Sequence, residues 1–389
     1  MAKFARRMES VQKSFIREIL KVTASPEIIS FAGGLPNPAT FPTLAIGRAT
    51  EAVLSGEGKA ALQYSTTEGY PPLREYIARR YAAKGVRVNP ENILITSGSQ
   101  QGLDLVAKVL LDEGDRVVIE SPGYLGAIQA LSMFQPRLVP IAMEQDGIDT
   151  EQLAEALDSV NPKLFYSVTN FQNPSGITYS AEKRRRVAEL MRRRDTVLVE
   201  DDPYGELRFM GDDMPHMGAL MDGNMVMLGS FSKIFSPGMR LGWVCAPGDI
   251  MERLITAKQA CDLHTNSFSQ RVLLRYLRDN DIDAHIAGIR SLYRAQRGVM
   301  VDAIERHFPA GTEFTKPEGG MFLWVTLPGG LTALELFDRA IQRGVAFVPG
   351  DPFYVNRSNV PTMRLNYTNS DEADIERGIA RLGEAIGEN

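Results

Sequence analysis

The stretch Ser230-Phe-Ser-Lys233-Ile-Phe-Ser-Pro-Gly238-Met-Arg240 concentrates residue types able to do chemistry. It follows the apolar run Met225-Val-Met-Leu228 and precedes Leu241-Gly-Trp-Val-Cys-Ala246, both patterned as short buried strands. Lys233 therefore lies in a connection just past a strand end. A lysine there has two readings. In most loops it is a solvated cation without a special role. Desolvated, its amine holds a proton less tightly and can form a Schiff base with a carbonyl. Arg240 favours the second reading, because a guanidinium with the small hydroxyls of Ser230 and Ser232 suits a phosphate. An amine for an aldehyde, with a cation and hydroxyls for a phosphate, answers the demands of pyridoxal 5'-phosphate.

The segments around this stretch must supply the remaining groups. Asn92-Ile-Leu-Ile-Thr96 reads as a strand, Ser97-Gly98-Ser99 as a tight turn and Gln100 to Leu111 as a helix. A turn entering a helix in this way offers backbone N–H groups and the positive dipole end to an anion, although Ser and Gly also serve simply as caps. Arg116-Val-Val-Ile-Glu120 is the next strand, with Tyr124 just beyond its end, placed to stack on a flat ring or to join the core. Leu164-Phe-Tyr-Ser-Val168 runs into Thr169-Asn170-Phe-Gln-Asn173-Pro-Ser-Gly176. Asn173 there is a turn former or a donor to a ligand oxygen. Thr196-Val-Leu-Val199 ends in Glu200-Asp201-Asp202-Pro203-Tyr204. These acids can be solvated, can bind a metal, or can include one that faces a ring nitrogen and keeps it protonated. No histidine or second acidic cluster lies nearby in sequence to complete a metal site. Gly33-Gly34 follows an apolar strand and fits the lip of a pocket or a plain turn. Tyr64 and Tyr70 stand in a loop whose composition assigns them no role.

Strands alternate with helices up to about residue 288 and carry polar, Gly-rich segments at their C-terminal ends, where α/β sheets place ligands. The expected fold is α/β, a large domain (45–288) with a mostly parallel central sheet flanked by helices. A smaller α+β domain is expected from both chain ends, 1–44 and 289–389. At 389 residues two domains are the expectation. Phe4, Met8, Val11, Phe15 and Ile19 are helically spaced, which suggests an amphipathic helix docking on the protein's own body. A net charge of -5 gives no support to nucleic acid as a general partner. Lys183-Arg-Arg-Arg186 and Arg192-Arg-Arg194 read as the solvated face of a helix capped by Ser180. Two cysteines, no span of apolar residues long enough for a bilayer and no secretory signal fit a cytoplasmic protein with no membrane association.

Ser97-Gly-Ser-Gln-Gln101, Asn173-Pro-Ser-Gly176, Asp201-Asp-Pro-Tyr204 and Ser230-Phe-Ser-Lys233 with Arg240, in that order, resemble a fold-type I pyridoxal-phosphate aminotransferase. Ala32-Gly-Gly-Leu-Pro-Asn-Pro38 narrows the resemblance to the 2-aminoadipate and kynurenine aminotransferase II-like subgroup. The motifs span nearly the whole chain. The resemblance implies that Lys233 carries the cofactor as a Schiff base and shuttles a proton, while Asp201 pairs with the ring nitrogen. It gives Tyr124 a stacking role and assigns the phenolic oxygen to Asn173 and Tyr204. Ser99, Gln100, Ser230 and Arg240 would hold the phosphate, joined by Tyr64 from the partner of a homodimer with shared active sites. Arg364 would grip the substrate α-carboxylate with help from Asn173, Gly34 would border the substrate, and Arg17 would meet its distal groups. The implied reaction moves an amino group from an L-amino acid to a 2-oxo acid such as 2-oxoglutarate. Donors include 2-aminoadipate, glutamate, and aromatic or aliphatic amino acids. Alternatives on the same scaffold are β-elimination, decarboxylation and racemisation. A non-catalytic sensor is a further alternative, although about thirty residues precede Ala32-Gly-Gly, too few for a DNA-binding domain.

Overall fold

Apolar runs of four to eight residues form strands and the amphipathic stretches between them cover the sheet in the computed structural model, which describes residues 3–8, 27–221 and 223–387. In chain order the strands are β1 (Ile29–Ser30), β2 (Ile93–Thr96), β3 (Arg116–Ser121), β4 (Arg137–Glu144), β5 (Gly147–Ile148), β6 (Leu164–Ser167) and β7 (Val197–Asp201). They continue with β8 (Met225–Ser230), β9 (Gly242–Cys245), β10 (Glu313–Phe314), β11 (Phe322–Thr326), β12 (Val345–Ala346), β13 (Val348–Pro349) and β14 (Thr362–Asn366). The large sheet has the order β2-β9-β8-β7-β6-β3-β4-β5. The pairs β8–β7, β7–β6, β6–β3 and β3–β4 are parallel, while β9 and β5 run against their neighbours. β6, β7 and β8 are buried at every position, as helix layers on both faces require. Parallel pairing brings the C-terminal ends of these strands, with Ser167, Asp201 and Ser230, to one edge of the sheet. The site is built there.

A four-stranded antiparallel sheet, β10-β11-β14-β13, forms a second layer. β1 pairs in parallel with β12, Ile29 against Val345, which ties the N-terminal segment to the C-terminal part of the chain. The 26-residue helix Ile282–His307 packs along the helix Glu372–Gly387 and runs through the expected domain boundary. Near its start it also reaches the large sheet's surroundings, where Asp283 pairs with Arg80 and Arg290 Nε donates to Glu206 O at 2.8 Å.

Two details of the basic helix differ from the sequence reading. The basic helix spans Ala181–Met191, capped by Ser180 as expected, but Arg184 is fully buried. It falls on the inward stripe with Val187, Ala188 and Met191, and its guanidinium donates to the carbonyls of Thr169, Tyr179 and Pro215 and to Asn170 Oδ1. Arg192 to Arg194 lie beyond the helix end. The run Val345 to Val348 is two strands in different sheets, parted at buried Phe347, whose ring packs edge-on against Phe337. The expected N-terminal amphipathic helix, with Arg17, lies outside the described residues apart from a short turn at Arg6–Met8. Cys245 is buried, Cys261 is exposed, and both are free. Among the described residues, no helix is long and apolar enough to cross a membrane.

Candidate active site

A cavity of about 290 Å³ opens where the C-terminal strand ends of the large sheet meet the second layer. Lys233 reaches it from the loop after β8, and its Nζ donates to Gly34 O at 2.9 Å. Burial, and then the cations Arg364 and Arg240, push the Lys233 amine down to about 8. Strand alternation at the end of β7 separates the three acids. Asp201 lines the cavity, whereas Glu200 accepts from Thr169 Oγ1 at 2.6 Å and Asp202 from Asn170 Nδ2 at 3.0 Å. Asp201 Oδ2 accepts from the Tyr166 hydroxyl at 2.8 Å, while Oδ1 is buried with no partner. Burial pushes the Asp201 carboxyl up to about 7, with Tyr166 opposing and Asp202, Glu120 and Glu200 adding to the rise. Among the described residues, no group of three or more His, Cys, Asp or Glu could hold a metal ion.

At one end of the cavity the helix Ser99–Leu110 begins after Gly98, whose φ of +83° needs glycine. The Gly98 backbone lies so close to Arg240 that a Cβ there would sit 2.7 Å from Nη2. Arg240 in turn donates to Ser97 O at 3.0 Å. Ser230 Oγ accepts from the Ser232 N–H at 3.1 Å, closing the turn that leads to Lys233. Tyr124 also lines the cavity, its hydroxyl 3.3 Å from Gln100 Oε1, and Gln100 Nε2 donates to Gly126 O. Burial pushes the Tyr124 phenol up to about 12 and raises that of Tyr204 as well.

At the opposite side, β14 delivers Arg364. Its Nη1 donates to Asn173 Oδ1 at 2.8 Å and its Nη2 to Ala32 O at 2.7 Å, while Nε is buried without a partner. The guanidinium lies 4.3 Å from the Phe322 ring centroid and 5.3 Å from that of Phe353. Burial lowers it to about 10. The turn carrying Asn173 is held from beneath, since Gln172 Nε2 donates to Glu120 at 3.0 Å and to Pro122 O at 2.7 Å. A Cβ on Gly34 would stand 3.3 Å from Phe322 Cζ, so the lip and this aromatic are in close contact.

The fold thus gathers Lys233, Asp201, Tyr124, Ser99, Gln100, Asn173, Tyr204, Ser230, Arg240, Arg364 and Gly34 around one cavity. It does not bring Tyr64 there within the chain. That side chain is 79% exposed and stands edge-on to His264, with ring centroids 5.9 Å apart. Arg17 lies outside the described residues. Sequence reasoning missed Tyr166, which carries no motif. Its only signal is register, for it pairs with Val199, two residues before Asp201 and on the same face. The aromatic pair Phe322 and Phe353 was missed for the same want of a motif. Chemically, the arrangement offers an amine that holds its proton less tightly than an ordinary lysine, a carboxylate oxygen open to a protonated ring nitrogen, a helix N-terminus with hydroxyls and a guanidinium, and a second, buried guanidinium.

Residues 33–382 match the family model for aminotransferases of class I and II. An aromatic-amino-acid aminotransferase from Thermococcus litoralis is 41% identical over 99% of this chain and 94% of its own length. A 2-aminoadipate transaminase from Thermus thermophilus is 41% identical over 97% of this chain and 94% of its own. The crystal structure of Pyrococcus horikoshii kynurenine aminotransferase in complex with PMP superposes with a TM-score of 0.95 at 43% identity, covering 99% of this chain and 97% of that one. The chain belongs to the class I and II aminotransferases and is an enzyme of the pyridoxal-phosphate-dependent fold type I.

Proposed function

We propose that the enzyme accepts a broad set of L-amino acids, among them 2-aminoadipate, glutamate, and aromatic and aliphatic ones, and passes their amino group to a 2-oxo acid such as 2-oxoglutarate. The observation that carries this reading is Arg364, a buried cavity-lining guanidinium with Nε unpartnered, which suits the α-carboxylate that all these substrates share. The differing substrates named for relatives of equal similarity support breadth.

Pyridoxal phosphate, when bound, supplies a conjugated ring that draws electron density from the substrate Cα as its proton leaves. The residues fit it. Asp201 Oδ1, buried and partnerless, is the acceptor that a protonated ring nitrogen requires. Lys233 would hold the aldehyde of the cofactor, and its Nζ is the group that would carry the substrate Cα proton. Its lowered proton affinity suits a group that must be a free base near neutral pH. Of the residues lining the cavity, Ser99, Gln100, Ser230 and Arg240 would hold the phosphate, Tyr124 would face the ring, and Asn173 and Tyr204 would hydrogen-bond its phenolic oxygen. Asn173 also steadies Arg364, Gly34 leaves room for the substrate, and Arg17 meets distal substrate groups. The active unit is a cytoplasmic homodimer in which Tyr64 reaches the partner's phosphate, which its exposure in the single chain supports. Segments 1–44 and 289–389 act as one small domain beside 45–288.

The test is a screen of amino donors against 2-oxoglutarate and pyruvate, following the new amino acid, ammonia and carbon dioxide. Amino transfer at matching stoichiometry is expected. Ammonia or carbon dioxide release without oxo-acid consumption refutes the reading in favour of elimination or decarboxylation. Arg364→Met should raise KM for every donor roughly 10- to 100-fold, the loss of charged hydrogen bonds worth roughly 1.5–3 kcal/mol.

A further inference from the structure

Tyr166 holds Asp201 from a rigid position. Its ring is fully buried in β6, in register with Ile119 of β3 on one side and Val199 of β7 on the other, so close packing fixes the direction of the phenol. The hydroxyl donates to Asp201 Oδ2 at 2.8 Å, which leaves Oδ1 as the open acceptor of a carboxylate that lines the cavity. Burial, and then the charge of Asp201, keep the Tyr166 phenol's proton affinity well above its ordinary value, so the hydroxyl remains a donor across the working pH range. Around Asp201, burial and the acids Asp202, Glu120 and Glu200 favour the protonated carboxyl, and the Tyr166 bond opposes them.

We propose that Tyr166 is a positioning residue for the ring-nitrogen carboxylate, turning Asp201 so that Oδ1 meets the protonated ring nitrogen and stabilising its ionised form. This rests on the reading of Asp201 given above. Without the hydroxyl, Asp201 is free to rotate and holds a proton to higher pH. The proton of the ring nitrogen then has a poorer acceptor, and the ring a weaker pull on the substrate electrons. Tyr166 touches neither cofactor nor substrate in this role and acts through Asp201 alone. That makes the proposal separable from a general packing effect.

The experiment compares full-length wild type, Tyr166→Phe, Asp201→Asn and the double variant. Two quantities are measured. One is the dissociation constant for pyridoxal phosphate relative to that for its 1-deaza analogue, in which C–H replaces the ring nitrogen. The other is the pH dependence of a single-turnover half-reaction with an amino acid. Wild type should prefer pyridoxal phosphate to the analogue. Tyr166→Phe should cut that preference about tenfold while leaving affinity for the analogue unchanged, since one hydrogen bond to a charged acceptor is lost. Its half-reaction should lose its acid limb at a pH about one unit higher, because the ionised carboxylate has lost a stabilising donor. Asp201→Asn should abolish the preference, and adding Tyr166→Phe to it should change neither quantity further. The proposal is overturned if Tyr166→Phe keeps both the preference and the pH profile, if it weakens both ligands equally, or if its effect adds to that of Asp201→Asn. A full preference in Asp201→Asn itself would instead remove the reading of Asp201, and this proposal with it.

Discussion

Lys233 in the cofactor-free protein should behave as an amine with a midpoint near pH 8. An ordinary lysine, at 10.5, is a free base for about 0.03% of the time at pH 7, whereas one at about 8 is free for about a tenth of it. The gain is about 300-fold in reactive amine. It can be read by labelling the apoprotein with trinitrobenzenesulfonate from pH 6 to 11 and quantifying the Lys233 peptide against N-acetyl-lysine in the same tube. Burial is the largest cause, with Arg364 second and Arg240 third. Arg364→Met should therefore move the midpoint upward by no more than about one pH unit, leaving most of the roughly 2.5-unit depression in place. A wild-type midpoint near 10.5 would refute the desolvated lysine. A return to 10.5 in Arg364→Met would show that charge repulsion, not burial, depresses it.

Two more outcomes are expected. If Tyr64 serves the partner's site, Tyr64→Phe should weaken cofactor binding by roughly 1.5–3 kcal/mol. In a tagged heterodimer with Lys233→Ala, the site with the intact lysine should recover wild-type affinity, because it receives Tyr64 from the other chain. Unrecovered affinity after proven subunit exchange would mean that Tyr64 serves its own chain or only packs. Glu120 is fully buried, accepts from Ser167, Tyr179, Gln172 and the Val168 N–H, and is raised to about 7 by burial. A carboxyl raised on folding binds its proton more tightly in the folded state, so its contribution is full below about pH 4.5 and is lost as pH rises through about 7. The unfolding free energy of the apoprotein, from urea titrations, should fall by about 2 kcal/mol between pH 5 and 7 from this group, and Glu120→Gln should flatten that fall. Parallel slopes for the two proteins would count against it.

Local sequence determined which residues stand at strand ends. Lys233, Asp201, Tyr124 and Ser99 each follow or close an apolar run of strand length, and a parallel sheet carries all such ends to one edge. That much is legible because strand and helix periodicities are properties of neighbouring residues. Contacts between distant segments have no such trace. Arg364 meets Asn173 across 191 positions and Lys233 meets Gly34 across 199, and both pairs depend on how the second layer closes over the sheet. Tyr166 reaches Asp201 only because β6 and β7 pair in one register, and a slip of one residue would turn it to the other face. Arg184, one of four consecutive basic residues, is buried because the helix phase turns it inward against carbonyls of the Thr169 turn, whereas Arg185 and Arg186 are not buried. Composition can mark a basic run, but only the packed helix decides which of its members faces the core.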